Sequence, residues 1–400
     1  MPGARRILVF AEAVTLAHAA RPFVVASELA ARGHDVHLAW APAYKQLFPA
    51  PTFRTHSLDS VSPADFRAAL AAGRRLYDLS TLRRYAAKDR QLIRAIEPDV
   101  IIGDFRLSLS ASARVEGVPY IALSNAYWSP YAEQAYPVPD LPLTRVVGLA
   151  ASQWLFDRIR PQVFAHHARP LNRLRAELGL PALPADLRYA YTDADHTLYA
   201  DIPGLTSLRD APHHHEVIGP IPWSPRISLP GWWDELPDDR PVVYVNLGSS
   251  GNTAVLGPVL QALATLPVTG VVATAGAAPP GPVPSNCFVA DYLPGDQAAA
   301  VGTVVVCNGG SPGVQQALLA ARPVLGLAGN MDQLLNMQAA ASAGAGILRR
   351  AGRMTVAGVG EALRSLLAAQ SFNHAAARLQ ERARATPGAQ RVIALAETLS

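Results

Sequence analysis

Two asparagine- and glycine-rich loops carry the clearest chemical signal in the chain. Cys307-Asn308-Gly309-Gly310-Ser311-Pro312-Gly313 stands between an apolar run and a helical pattern. A strand that turns through glycines into a helix start presents N–H groups without intrahelical partners, and these attract an anion. The glycines let the backbone approach a diphosphate closely, and Ser311 adds a hydroxyl donor. An ordinary tight turn shares this composition, so the segment alone does not decide. A second such loop, Asn246-Leu247-Gly248-Ser249-Ser250-Gly251-Asn252, follows the first strand of the same half. Two loops on one crevice suit a nucleoside diphosphate better than a lone phosphate. Further on, Gly329-Asn330-Met331-Asp332-Gln333 precedes a helix, and the adjacent carboxylate and amide of Asp332 and Gln333 suit vicinal sugar hydroxyls.

The elements that would position these loops alternate. Residues 7–10 read as a strand, and 21–31 as a helix that Gly33 ends. Residues 36–40, 99–103 and 118–123 read as strands, with a helix over 108–116. From 126 to 180 the pattern is irregular, rich in proline and aromatics, then helical, which suits a binding insertion. Residues 203–239 are dense in proline and hold Trp223, Trp232 and Trp233, which suits a linker packed against a domain by its tryptophans. Alternation then restarts, with strands at 242–246, 268–273, 287–290, 304–307 and 324–327 and helices at 360–368, 373–385 and 389–399. The expected fold class is α/β: two Rossmann-like domains with parallel sheets facing across a cleft, ligands lying at strand C-terminal ends. The expected boundaries are 1–215, a linker at 216–239, a second domain at 240–380, and a helical tail at 381–400 able to pack back on the first domain.

Composition narrows the function further. Half the residues are hydrophobic and 16% charged, which fits a globular protein. No apolar run reaches the roughly 18 residues of a membrane-spanning helix. Arg5-Arg6, an apolar stretch and Ala17-His18-Ala19 mimic a secretory leader, but Glu12 and His18 interrupt it and a strand explains it as well. With two cysteines and no Asn-x-Ser/Thr, a cytoplasmic location is expected. The formal charge of +4 arises in residues 1–215, concentrated in Arg67, Arg74, Arg75, Arg83, Arg84, Lys88, Arg90 and Arg94. A solvated helix face is the favoured reading there, a membrane surface or acidic acceptor the other; nucleic acid is not expected. Lys45 and Lys88 are the only lysines and neither lies in a glycine-rich loop, which removes a Walker loop and disfavours pyridoxal phosphate.

The stretch 308–346 resembles the signature of family-1 glycosyltransferases of GT-B fold, in particular the bacterial macrolide and natural-product branch, similar also to UDP-glucuronosyltransferases. The elements are Asn308-Gly309-Gly310, Ala321-Arg322-Pro323, Asp332-Gln333, Asn336 and Gly344-Ala345-Gly346. The resemblance extends over essentially the whole chain and is specific in its second half. It implies that Asp332 and Gln333 bind donor-sugar hydroxyls, that Ser249, Ser250, Asn308, Gly309, Gly310 and Ser311 hold the diphosphate, and that Tyr292 and Leu293 lie by the base. Three departures stand out. Asn308 replaces the usual histidine, Gly295 replaces a glutamine after Leu-Pro, and Gln316 matches the glutamate that holds the ribose diol, which favours a deoxyribose donor. In the first half, His18 stands sixteen residues before His34 of Arg32-Gly33-His34, the family's spacing for its catalytic histidine, and Asp104 matches the orienting carboxylate. The proline expected three residues after that histidine is displaced to Pro22, with Arg21 in its place.

A neutral imidazole can accept the proton of an acceptor hydroxyl while a carboxylate fixes its tautomer. A helix-capping histidine and a strand-end aspartate are the plainer alternatives. Tyr127, Trp128, Tyr131 and Tyr136 suit either an aromatic acceptor wall or core packing. Asp193-Ala194-Asp195 has the form of a metal-binding pair but lies far from the diphosphate loops, and the His166-His167 and His213-His214-His215 runs lack supporting ligands, so no metal site is expected. The expectation is an inverting, metal-independent glycosyltransferase that uses a UDP- or dTDP-sugar as co-substrate, without a cofactor. It would act on a small lipophilic acceptor, as a monomer or homodimer. A nucleotide-sugar epimerase and a catalytically silent nucleotide-sugar-binding partner are the alternatives.

Overall fold

The apolar runs pair in parallel into two separate sheets in a computed structural model that describes residues 3–248 and 253–399. The chain divides into two units, the first made of residues up to Ala135, Val146–Ile221 and the stretch from Thr386 onward, the second of Tyr136–Arg145 and Pro222–Ala385.

In the first unit the strands are β1 (Arg6–Ala11), β2 (Asp35–Trp40), β3 (Arg54–Ser57), β4 (Val100–Asp104), β5 (Tyr120–Ser124), β6 (His196–Tyr199) and β7 (His215–Val217). They lie side by side in the order β3-β2-β1-β4-β5-β6-β7. Helices α1 (Leu16–Ala31), α2 (Pro63–Ala71), α3 (Leu79–Ile96), α4 (Leu109–Glu116), α6 (Leu149–Glu177) and α7 (Leu187–Thr192) occupy its crossovers and insertion, while α5 (Pro142–Val146) lies in a stretch that falls almost wholly in the second unit. β1 and β4 are buried on both faces, as the unbroken apolar runs of a covered parallel sheet require. Helix α1 begins at Leu16 and not at residue 21, with Pro22 inside it. Proline has no N–H to return to the carbonyl four residues back, so that bond is missing at His18. The basic stretch is not one helix: Arg67 lies in α2, Arg74 and Arg75 in the connection, and the rest in α3, where Arg83, Arg90 and Arg94 pair with Glu177 and Glu116.

Three strands of this sheet lie outside the sequence expectation. β3 is a polar edge strand (RTHS), while β6 and β7 are only four and three residues long. A polar edge strand and strands of three or four residues are too short or too polar to show a period, so none is visible. β7 also shows that the supposed linker at 216–239 starts too early, since residues through Ile221 belong to the first unit.

The second unit holds β8 (Val242–Asn246), α8 (Leu256–Ala264), β9 (Thr269–Ala273), β10 (Cys287–Ala290), α9 (Gly295–Val301), β11 (Val304–Cys307), α10 (Ser311–Leu319), β12 (Val324–Ala328), α11 (Met331–Ser342), β13 (Gly346–Arg350), α12 (Val356–Ala368) and α13 (Gln370–Arg384). Its order is β10-β9-β8-β11-β12-β13, the doubly wound Rossmann arrangement. β13 ends in two arginines on an edge, which hid it from the apolar pattern. Residues 222–239 pack here: Trp232 lies 5.4 Å from the Phe288 ring, and the Trp223 carbonyl accepts from Gln316.

The two units exchange segments. The last helix, α14 (Gly388–Thr398), belongs to the first unit and packs on α1, with Val392, Ile393 and Ala396 fully buried beside Leu29 and Val25. Conversely, the strap Tyr136–Arg145 belongs to the second unit. There Asp140 pairs with Arg350 at 2.8 Å, accepts the Gly352 N–H at 2.9 Å and donates its own N–H to the Gly329 carbonyl.

Candidate active site

In each sheet the crossovers run to opposite sides from two adjacent strands, and the crevice at their C-terminal ends is where open α/β sheets bind ligands. In the first unit those strands are β1 and β4, whose register partners at the carboxyl ends are Ala11 and Asp104. His18, in the first turn of α1, points its Nδ1 at Asp104 Oδ1 across 2.7 Å. Asp104 is fully buried and His18 keeps 18% side-chain exposure. A carboxylate accepts and cannot donate, so Nδ1 carries the hydrogen and Nε2 of the neutral ring is an acceptor.

Arg21 completes this cluster, and the sequence reading gave it no role. Its Nε donates to Asp104 Oδ2 at 2.8 Å and its Nη2 to Oδ1 at 3.0 Å. The remaining nitrogen, Nη1, donates to Asn125 Oδ1 at 3.1 Å, and Asn125 Nδ2 donates to Asp201 Oδ1 at 2.8 Å. Burial works against the guanidinium charge, but Asp104 and then Asp201 outweigh it and raise the Arg21 pKa. The only signal in sequence was an arginine three residues after His18, hence on the same helix face.

Phe105, next to Asp104, takes a left-handed backbone (φ 59°) and stacks on the His18 ring with centroids 4.6 Å apart. From it an aromatic row continues through Tyr191 at 5.2 Å to Trp128 at a further 5.2 Å, with Phe66 and Tyr77 also against Phe105. Of the expected acceptor residues, Trp128 joins this row. Tyr127 is buried beside Trp128, and Tyr131 instead packs edge-on against His215 at 5.1 Å. One residue further on, Arg106 is fully buried between Glu12 (2.7 Å) and Asp89 (3.0 Å), and Ser60, Tyr77 and Tyr85 donate their hydroxyls to Glu12.

In the second unit the adjacent strands are β8 and β11, and Asn246 and Cys307 are register partners at their ends. Both strands end in the same turn: Asn246 Oδ1 accepts the Gly248 N–H at 3.0 Å, and Asn308 Oδ1 accepts the Gly310 N–H at 2.9 Å. Ser249 and Ser250 lie outside the described residues. Gly310 caps α10, whose first-turn N–H groups at Ser311 and Gly313 fall outside the helical ladder, while Pro312 has none. Gly309 has a reason of its own to be glycine. Its φ is +82°, and a Cβ would lie 2.7 Å from Met337 Cγ and 3.1 Å from the Gln333 carbonyl. α11 therefore presses on the loop, and Asn336 Nδ2 donates to the Gly309 carbonyl at 2.8 Å.

Gln333 shares a capping box with Asn330, so its side-chain oxygen is committed to the N–H groups of Gly329 and Asn330. Asp332 stands in the first turn of α11. Tyr292 is exposed, with its hydroxyl 3.4 Å from the Ala275 carbonyl, and Leu293 is buried. Gln316 fills the space that a side chain at Gly295 would need, since a Cβ there would lie 2.6 Å from its Oε1. The two departures at 295 and 316 are thus one packing solution.

The metal-like motifs are otherwise occupied. Asp193 pairs with Arg114 and Arg175, and Asp195 with Arg114 and the Tyr120 N–H. His215 hydrogen-bonds Tyr199, and burial, helped by His214, pushes its pKa down to about 4. Among the described residues no three His, Cys, Asp or Glu side chains are grouped to hold a metal ion. No helix among them is long and apolar enough to cross a membrane.

Two Rossmann-like units, each with polar groups gathered at the switch point of its sheet, define the GT-B architecture. Residues 259–399 match the family described as Erythromycin biosynthesis protein CIII-like, C-terminal domain. The chain is 48% identical over 377 residues to a "PGL/p-HBAD biosynthesis glycosyltransferase" of Mycobacterium tuberculosis (strain ATCC 25177 / H37Ra), covering 94% of this chain and 88% of that one. It is equally similar, at 48% over 94% of this chain and 84% of the other, to a "PGL/p-HBAD biosynthesis rhamnosyltransferase" of Mycobacterium bovis (strain BCG / Pasteur 1173P2). The solved structure of the spinosyn rhamnosyltransferase SpnG complexed with thymidine diphosphate shares the fold, with a TM-score of 0.69 at 19% identity over 99% of both chains. This chain belongs to the family-1 GT-B natural-product glycosyltransferases and is a glycosyltransferase.

Proposed function

We propose that this glycosyltransferase moves a rhamnosyl group from thymidine diphosphate to a hydroxyl of a small lipophilic acceptor of the PGL/p-HBAD kind. The displacement is single, inverting and metal-independent. The observation that carries this reading is the 2.7 Å contact of His18 Nδ1 with the buried Asp104, which leaves Nε2 as a base. Nε2 takes the acceptor proton as the new bond to the anomeric carbon forms. The bond from that carbon to the diphosphate oxygen breaks, and its electron pair stays on the leaving group. The α10 N-terminus, which the Asn308–Gly310 turn sets in place, supplies amide dipoles for that charge, with Ser249 and Ser250 as further donors. Asp332 and the Gln333 amide face the sugar, Tyr292 and Leu293 the base, and Trp128 with Tyr191 and Phe105 the acceptor.

The rhamnosyl group and the acceptor class come from the relatives' names, and the thymidine nucleotide from the SpnG complex. Gln316, whose amide is engaged by Trp223, supports the preference for a deoxyribose.

The test is incubation with dTDP-rhamnose and UDP-sugars, with and without hydroxylated aromatic acceptors. Glycosylated product should require the acceptor and vanish in His18→Ala, which should keep wild-type affinity for thymidine diphosphate. Transfer by His18→Ala would remove His18 as base, and donor conversion without acceptor would point to the epimerase.

A further inference from the structure

We propose that Arg21 is a positioning residue for the transfer: it locks the Asp104 carboxylate in the plane that serves His18. This rests on the reading of His18 as the base. A buried carboxylate can rotate about its last torsion unless both oxygens are held. Here Arg21 grips Oδ2 through Nε and Oδ1 through Nη2, a two-point contact that fixes the plane and leaves one lone pair of Oδ1 for His18. The guanidinium is itself held from behind by Asn125, whose amide orientation Asp201 dictates.

The charges give the cluster a second property. With a neutral imidazole, Asp104, Arg21 and Asp201 sum to minus one, and after His18 takes a proton the sum is zero. Without Arg21 two buried carboxylates would face one imidazole, and the ring would hold its proton to higher pH. Arg21 Nη2 also lies 3.3 Å from His18 Nδ1, close enough to oppose a second positive charge directly. The charged and titratable groups facing this pair are Asp104 from β4, Asp201 after β6 and Tyr127 after β5. Arg21 thus opposes a second positive charge beside it, and Asp201 balances that charge as the proton arrives.

The experiment measures kcat and kcat/KM against pH, and thymidine diphosphate affinity, for Arg21→Gln, Arg21→Lys and Asn125→Ala. Arg21→Gln should lower kcat about tenfold or more and move the acidic limb of kcat/KM up by about half a pH unit or more. Its affinity for thymidine diphosphate should not change. Arg21→Lys, which keeps the charge but not the fork, should restore the limb and only part of kcat. Asn125→Ala, which removes the hydrogen bond that holds the guanidinium from behind, should lower kcat at unchanged nucleotide affinity, and it carries the test if Arg21→Gln does not fold. An unmoved limb, with kcat falling only in proportion to folded protein, would overturn the proposal. If His18→Ala is inactive while the Arg21 and Asn125 variants behave as wild type, this inference alone fails. If His18→Ala is active, the underlying reading fails with it.

Discussion

Replacing Gly309 by alanine tests whether the Asn308–Gly310 loop, proposed to hold the diphosphate, owes its shape to the helix beneath it. The left-handed backbone at this position costs a side-chain-bearing residue about 1–2 kcal/mol. The added methyl would also meet Met337 Cγ at 2.7 Å and the Gln333 carbonyl at 3.1 Å. Met337 can move, but the carbonyl belongs to helix α11, so overpacking adds about 1–3 kcal/mol. The sum is about 2–5 kcal/mol, and each 1.4 kcal/mol is about tenfold in an equilibrium. If the loop yields, thymidine diphosphate binding by calorimetry should weaken about tenfold or more. If the loop holds, the same energy appears as lost stability in a denaturant titration. The double variant Gly309→Ala/Met337→Ala removes the flexible clash but not the backbone strain, so the alanine at 309 should cost less in that background. Wild-type stability together with wild-type nucleotide affinity in Gly309→Ala would refute the reasoning.

Two further outcomes are expected from the first unit. Arg106→Met strands Glu12 and Asp89 without a counter-charge in a fully buried site, so urea denaturation should show a loss of about 3–5 kcal/mol. Adding Glu12→Gln and Asp89→Asn should recover much of it. Glu116 is held below the ordinary glutamate value of 4.5, chiefly by its hydrogen bond from Arg94 and then, against the opposing effect of burial, by Arg90. A carboxylate with a lowered folded pKa stabilises the fold above its unfolded value, and loses that contribution as pH falls through the folded value. The midpoint of unfolding should therefore fall less steeply below pH 4.5 in Glu116→Gln than in wild type. The difference should stay within about 1 kcal/mol because Arg94 is largely exposed.

Much of the sheet architecture was readable because a covered parallel strand must be apolar on both faces, as β1, β4, β8 and β11 are. What escaped were elements whose identity depends on neighbours. β3 and β13 are edge strands with polar or basic residues, and β7 is too short to show a period. The Asn308–Gly310 loop was legible as a turn from a strand into a helix, yet the reason for Gly309 was not, because Met337 lies 28 positions away. Arg21 was invisible for a similar reason: its partners Asp104 and Asn125 are 83 and 104 residues distant. Tyr131 and Trp128 look alike in sequence, and only the fold sends one to His215 and the other to Tyr191.

The exchanged segments bear on how this protein can be made and recombined. Helix α14 completes the cover of α1 and is synthesised only after the whole second unit, so the core of the first unit is closed last during translation. A hybrid enzyme spliced once, in the proline-rich stretch, would inherit a foreign α14 against α1 and a foreign strap opposite Arg350. Functional chimeras of this chain call for four junctions, with residues 136–145 travelling with the second unit and those beyond 385 with the first.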